Sequence, residues 1–130
     1  MSFASDISKY AKKTKLSMGD AVVAINSEVA SNIIYLTPVD SGRARGNWYP
    51  TIGTVSTKID LDKKDKTGKE TADKAEKIAE KSAGQVFFLA NNLKYIHRLE
   101  YDSWSKQASR GFMRVSIQEM ETTLKKFKGN

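Results

Sequence analysis

TPVDSGRARGNWYP, residues 37–50, is where this chain turns. Pro38 pushes Thr37 toward extended geometry, so the apolar helical pattern that reaches Leu36 must stop there. Asp40, Ser41 and Gly42 make a compact turn, in which Asp or Ser bonds nearby backbone and Gly supplies a positive φ. From Gly46 the chain reads as extended. Arg43 and Arg45, two residues apart, leave it in one direction if the extension has already begun. Trp48 and Tyr49 are large enough to anchor a strand in a core or at an interface. A helix stopped here and followed by a strand makes the class mixed rather than all-helical.

Upstream, Val22, Ile25, Val29, Ile33 and Leu36 step by 3, 4, 4 and 3, one apolar stripe on a helix over about 17–36 that Ser17 or Asp20 can cap. Such a helix spans roughly 30 Å. Burying each of these side chains contributes about 1.5–3 kcal/mol, so the stripe is a wall of the core. Before it, Phe3, Ile7, Tyr10 and Ala11 predict a shorter amphipathic helix ending near Lys12 and Lys13.

Downstream, residues 47–53 read as a strand that resumes over 55–61, where Val55, Thr57, Ile59 and Leu61 alternate with polar residues. Pro50 argues for an edge position, because it has no N–H for a ladder. Residues 62–68 are charged and read as a connection. A helix over 70–82 follows, carrying Glu70 with Lys74 and Asp73 with Lys77 at i, i+4. Its apolar face is only Ala72, Ala75, Ile78 and Ala79, so the charged segment at about 56–84 is a candidate for mobility until a partner covers it. The run QVFFLA, residues 85–90, predicts a short buried strand. Tyr95, Ile96, Leu99 and Tyr101 fall at mixed spacing, and 103–111 reads as a loop carrying Trp104. Met113, Ile117, Met120, Leu124 and Phe127 then step by 4, 3, 4 and 3, the clearest amphipathic helix in the chain. The order predicts an α+β fold in which long amphipathic helices pack on a small, mostly antiparallel sheet, within one domain spanning 1–130.

The 130 residues suffice for a core without staples, and the absence of cysteine excludes disulfides and thiolate metal sites. No signal peptide is expected from the MSFASD start, and no apolar run matches a membrane span, so no membrane partner is expected. The formal charge of +7 raises a nucleic-acid reading, but residues 58–81 carry eight Lys against seven Asp or Glu. The excess lies at residues 9–15, 94–114 and the C-terminal tail, a diffuse basic surface rather than a stripe.

Catalysis needs a nucleophile with a base, a carboxylate pair in a cleft, or a metal cluster. His97 is the single histidine. Asp40, Ser41 and His97 can be written as a triad, yet the serine has no G-x-S-x-G setting, and the turn explains Asp40 and Ser41 without it. His97 with Glu100 or Asp102 lacks a converging ligand set for a metal. Neither catalytic residue, metal nor cofactor is expected. Arg43, Arg45, Trp48 and Tyr49 pair cations with aromatic faces, as single-strand binders do. Arg98 and Glu100 would share one side of a strand and could enter ladders of charge across a subunit boundary. A screened surface pair worth under about 1 kcal/mol fits them equally.

TPVDSGRARGNW, residues 37–48, resembles the T-P-V-D-[ST]-G-x-x-[RK]-x-x-W pattern of the neck or tail-completion proteins of long-tailed bacteriophages. NNLKYIHRLEYDSWSKQASRGFMRVS, residues 91–116, resembles the same family's second signature, N-N-x-x-Y-x-x-x-[LI]-E-Y followed by S-K-Q-A-P-x-G-[MF]. Asp102 stands where that family tends to have glycine, and Ser109 where it tends to have proline. The resemblance implies a structural virion protein, a hexameric ring subunit made in the host cytoplasm and placed at the head–tail junction. Its implied partners are further copies of itself, head-completion or connector proteins, and tail-terminator or tail-tube proteins. Double-stranded DNA would pass through the lumen without sequence-specific contact. Asp40, Arg43, Arg45, Trp48, Arg98, Glu100 and Tyr101 are the interface residues it implies. From another class, a small basic nucleic-acid-binding protein remains the alternative.

Overall fold

The computed structural model describes residues 3–102, 105–108 and 110–126, and the side chains of all of these but Phe3. Trp104, Ser109 and Phe127 lie outside the described residues. The fold is α+β, with helices packed on a two-stranded antiparallel sheet. Helix α1 (Phe3–Thr14) ends at Lys15, which takes a left-handed φ of 60°. Helix α2 (Met18–Leu36) starts on Ser17, whose hydroxyl accepts the Asp20 N–H at 3.1 Å.

Helix α2 is the axis of the molecule because it serves two cores. Its first half packs Ala21 and Ile25 against Ile7 and Ala11 of α1 and against Met120 and Leu124 of α6 (Met113–Lys125). Its second half packs Ala30, Ile33 and Ile34 against Trp48, Phe112 and the alanines of α4 (Lys69–Glu80). A helix covered on two sides buries more than one stripe. Ile25 and Ile33 are buried as expected, but Val22 and Val29 are half-buried and Leu36 is exposed. The small face of α4 lies against α2 along Ala72, Ala75 and Ala79, so a neighbouring helix of the same chain covers it.

Strand β1 (Tyr49–Ile52) pairs with β2 (Phe87–Ala90), placing Tyr49 opposite Ala90 and Ile52 opposite Phe87. Both strands are edges, which is where Pro50 can be tolerated. Two expectations are corrected here. The alternating residues 55–61 form no ladder and run as irregular chain. Strand β2 is half-buried rather than buried, with Val86 beside it exposed, because only one of its faces meets the helices. Residues 96–101, where mixed spacing had fixed no local structure, are helical and form α5 (Ile96–Tyr101).

The last helix is also rotated from its predicted face. Ile117 is exposed, and the buried line runs Phe112, Ser116, Met120, Leu124 at steps of four. Ser116 tolerates burial because its hydroxyl donates to the Phe112 carbonyl at 2.6 Å. No helix among the described residues is long and apolar enough to cross a membrane.

Candidate functional site

The two segments that carry the family resemblance meet. Thr37, at the end of α2, is buried; its hydroxyl donates to the Ile33 carbonyl at 2.6 Å and accepts the Trp48 indole N–H at 2.9 Å. The Trp48 ring then stands edge-on to Phe112, with centroids 6.0 Å apart and planes at 81°. Asn91 Nδ2 donates to the Ala44 carbonyl at 2.8 Å. Gln107 clamps Val39 from both sides, accepting its N–H at 2.8 Å and donating to its carbonyl at 2.9 Å.

Between these ties runs a groove of about 630 Å³, lined by Pro38 to Ala44 on one side and by Tyr95, Leu99 and Ser105 to Gln107 on the other. Its turn depends on Gly42, which has a φ of 91°. A Cβ there would lie 2.7 Å from the backbone nitrogen of Lys66, so no side chain fits. The loop after β1 is thereby drawn in, with the Asp65 N–H bonded to the Gly42 carbonyl at 3.0 Å.

Arg43 and Arg45 would share a direction only if the chain were already extended there, and instead it makes one helical turn, α3 (Arg43–Gly46). The two side chains therefore diverge. Arg43 Nε donates to the Leu61 carbonyl at 2.7 Å. Arg45 serves the end of α2, its guanidinium donating to the carbonyls of Tyr35 at 2.8 Å and Thr37 at 2.9 Å, and to that of Lys66 at 2.7 Å. The Tyr35 and Thr37 carbonyls sit where a helix leaves acceptors unmatched and partially negative. Burial lowers the Arg45 pKa from its usual value, with Asp65 and Tyr35 opposing; the group keeps its charge.

Glu100 is likewise not on a strand beside Arg98. Helix α5 turns Glu100 inward and leaves Arg98 exposed. Glu100 Oε1 accepts the N–H of Phe112 at 3.0 Å and of Met113 at 2.7 Å, while Oε2 accepts the Arg114 N–H at 3.2 Å and its Nε at 2.8 Å. Arg114 also donates to the Glu100 backbone carbonyl. A carboxylate from another helix thus caps α6. Burial would raise its pKa, but the Arg114 side chain and the three backbone N–H groups outweigh burial and hold it below the usual carboxylate range.

Of the remaining interface candidates, Asp40 and Tyr101 are exposed. Tyr101 carries the Arg114 guanidinium over its ring at 4.6 Å and the His97 ring at 4.5 Å between centroids. Trp48 is buried. Asp40 and Ser41 line the groove while His97 does not, so the three are not brought together there. Among the described residues no group of three or more His, Cys, Asp or Glu is placed to hold a metal ion.

Sequence reasoning missed Asp65, Asn47 and Arg114. Asp65 caps α4, accepting N–H groups from Gly68 at 3.0 Å and Thr71 at 2.9 Å and the Thr71 hydroxyl at 2.7 Å. Burial would raise its pKa, and these bonds bring it below its usual value. The spacing D-K-T-G-K-E-T carried the signal, because an Asp three residues before Gly68 and six before Thr71 can cap across a tight turn. Comparison with protein-family models, with curated proteins and with solved structures finds no match for this chain.

Proposed function

We propose that this chain is a structural subunit of the neck of a tailed bacteriophage, one of six copies in a ring that joins the head-completion or connector proteins to the tail terminator or tail tube. Double-stranded DNA passes through its lumen without sequence-specific contact. The ring is assembled in the host cytoplasm and persists in the virion. One observation carries the reading: the two segments that resemble the family's signatures lie on either side of one groove, tied by Asn91 to Ala44 and by Gln107 to Val39. Residues far apart in sequence thereby form one shaped surface.

Within that surface the interface candidates divide into two roles. Arg45, Trp48 and Glu100 spend their bonds inside the molecule and support the contact from behind. Asp40, Arg98 and Tyr101 are exposed, and Arg43 lines the groove. Charged rim groups of this kind set register and partner choice more than raw affinity. A ring also needs two different complementary surfaces on each copy, because head-to-tail contacts close by rotation.

The test is complementation. Particles made without this chain should accumulate as filled heads and separate tails, and adding the purified chain should join them. Normal joined particles in its absence overturn the proposal. The formal charge of +7 supports the nucleic-acid alternative, which would instead show binding to DNA that falls steeply with salt and no defect in joining.

A further inference from the structure

Two backbone edges of this chain are open, and they match each other. In the hairpin, the Gly53 N–H donates to the Val86 carbonyl at 2.9 Å, continuing the register that sets Ile52 opposite Phe87. Hydrogen-bonded pairs alternate along an antiparallel ladder. Thr51 with Phe88 is therefore such a pair, and the backbone groups of Phe87 and Leu89 point away from β1. Among the described residues nothing pairs with them on that side. Beside this edge lie two adjoining hollows of about 150 and 220 Å³ that share Asn26 and Val29 of α2. Phe87 and Leu89 close the first, and Ile117 and Met120 the second. No lining residue of either is charged.

The second edge is the stretch 56–60. Asn92 Nδ2 donates to the carbonyls of Ser56 at 2.9 Å and Lys58 at 3.1 Å. Asn47 donates to the Asp60 carbonyl at 2.9 Å and accepts the Asp60 N–H at 2.9 Å. The carbonyls of Ser56, Lys58 and Asp60 and the Asp60 N–H are thus pinned to the body. Thr57 and Ile59 have no backbone partner among the described residues. Val55 and Ile59 are 56 and 46% exposed, so these apolar side chains face water while the backbone edge beside them is held. This irregular stretch is held to the body by asparagine side chains in place of a ladder.

We propose that residues 55–60 of one copy add as an antiparallel strand to the outer edge of β2 in a second copy, ending where the Lys63 N–H closes a turn on the Asp60 carbonyl and Arg43 holds the Leu61 carbonyl. The outward groups of Thr57 and Ile59 then pair with those of Phe87 and Leu89. Parity decides the chemistry. Directly opposed residues of an antiparallel pair share a face, so every register that satisfies these bonds puts Val55 and Ile59 on the face of Phe87 and Leu89. That face borders the uncharged trough. Lys58 and Asp60 fall on the opposite face, where the Lys58 ammonium lies 5.4 Å from the Tyr49 ring centre. Open strand edges are templates for this kind of addition. The contact is head-to-tail, and it rests on the ring reading above for the number of copies it links.

The chain's lack of cysteine makes the test clean. Full-length chains carrying Ile59→Cys are mixed with chains carrying Val29→Cys under a mild oxidant, both free at high concentration and in purified necks. A mixed disulfide is expected that neither variant forms with the parent chain. Separately, Ile59→Asp is expected to keep the thermal midpoint of the free chain and to weaken self-association at least tenfold by sedimentation. Absence of the mixed disulfide in both settings, or unchanged association of Ile59→Asp, overturns the contact. A ring seen in the neck without the disulfide overturns this contact alone. The disulfide formed by a chain that the neck lacks overturns the neck role alone.

Discussion

Glu100 and Arg114 form an ion pair of unequal burial: Nε meets Oε2 at 2.8 Å, with the Glu100 side chain 3% exposed and the Arg114 side chain 48% exposed. The same carboxylate caps α6, so its loss strips both the arginine and the first N–H groups of that helix. Glu100→Gln keeps the shape and removes the charge, and should lower stability by about 2 kcal/mol. Glu100→Ala should cost about 3–5 kcal/mol. Urea midpoints of the free chains check both. Arg114→Ala also uncovers the Tyr101 ring, whereas Arg114→Lys should recover part of its loss.

Acid should loosen the fold through two carboxylates. Glu100 and Asp65 both titrate below their usual values when folded. The unfolded chain therefore takes up these protons first, and stability rises with pH between the lowered folded values and the unfolded ones near about 4. The contribution is complete above about pH 5 and is lost as the pH falls, by up to about 1.4 kcal/mol per pH unit for each group. Urea titrations from pH 3 to 6 should show a shallower acid limb for Asp65→Asn with Glu100→Gln than for the parent. Parallel limbs would mean that neither group is linked to folding.

The buried bond from Trp48 to Thr37 invites a double-mutant cycle. Trp48→Phe keeps a ring against Phe112 but leaves Thr37 Oγ1 without its donor, and should cost about 1–3 kcal/mol. Thr37→Val removes the hydroxyl from the other side. Together they should cost about 1 kcal/mol less than the sum, since each abolishes the same bond. Additive losses in chemical denaturation would assign the whole effect to packing.

Arg45 should not tolerate lysine. Its fork reaches the carbonyls of Tyr35, Thr37 and Lys66 together, whereas an ammonium on a flexible stem cannot span them. Arg45→Lys should lose about 1–3 kcal/mol, while Asp40→Ala and Arg98→Ala, both on exposed side chains, should leave the free chain's thermal midpoint nearly unchanged. On the proposed role, their effect should appear in the yield of joined particles.

What could be read in advance followed from local rules. The step pattern of α2, its Ser17 cap, its stop before Pro38 and the helix from 113 onward are written in spacing and punctuation. The positive φ of Gly42 was legible for the same reason. The functions of Arg45 and Glu100 were not, because their partners include Lys66, 21 residues away, and Phe112, 12 away. Those distances are closed only by the tertiary fold. The segment 55–61 has a strand's alternation and an extended strand's inner bonds, yet no ladder, because Asn47 and Asn92 occupy its inner side. Mixed spacing hid α5, since a six-residue helix with Leu99 and Glu100 both inward carries no clean stripe.

The most direct test of the structural-subunit account is a density map of the assembled particle's neck at a resolution that resolves helices. The account predicts six copies of this fold in a ring between the connector and the tail tube, each presenting the groove between Val39 and Gln107 and its 55–60 segment to neighbouring molecules. A neck built entirely from other chains, with no density fitting the long α2 and its crossing by α4, would contradict it.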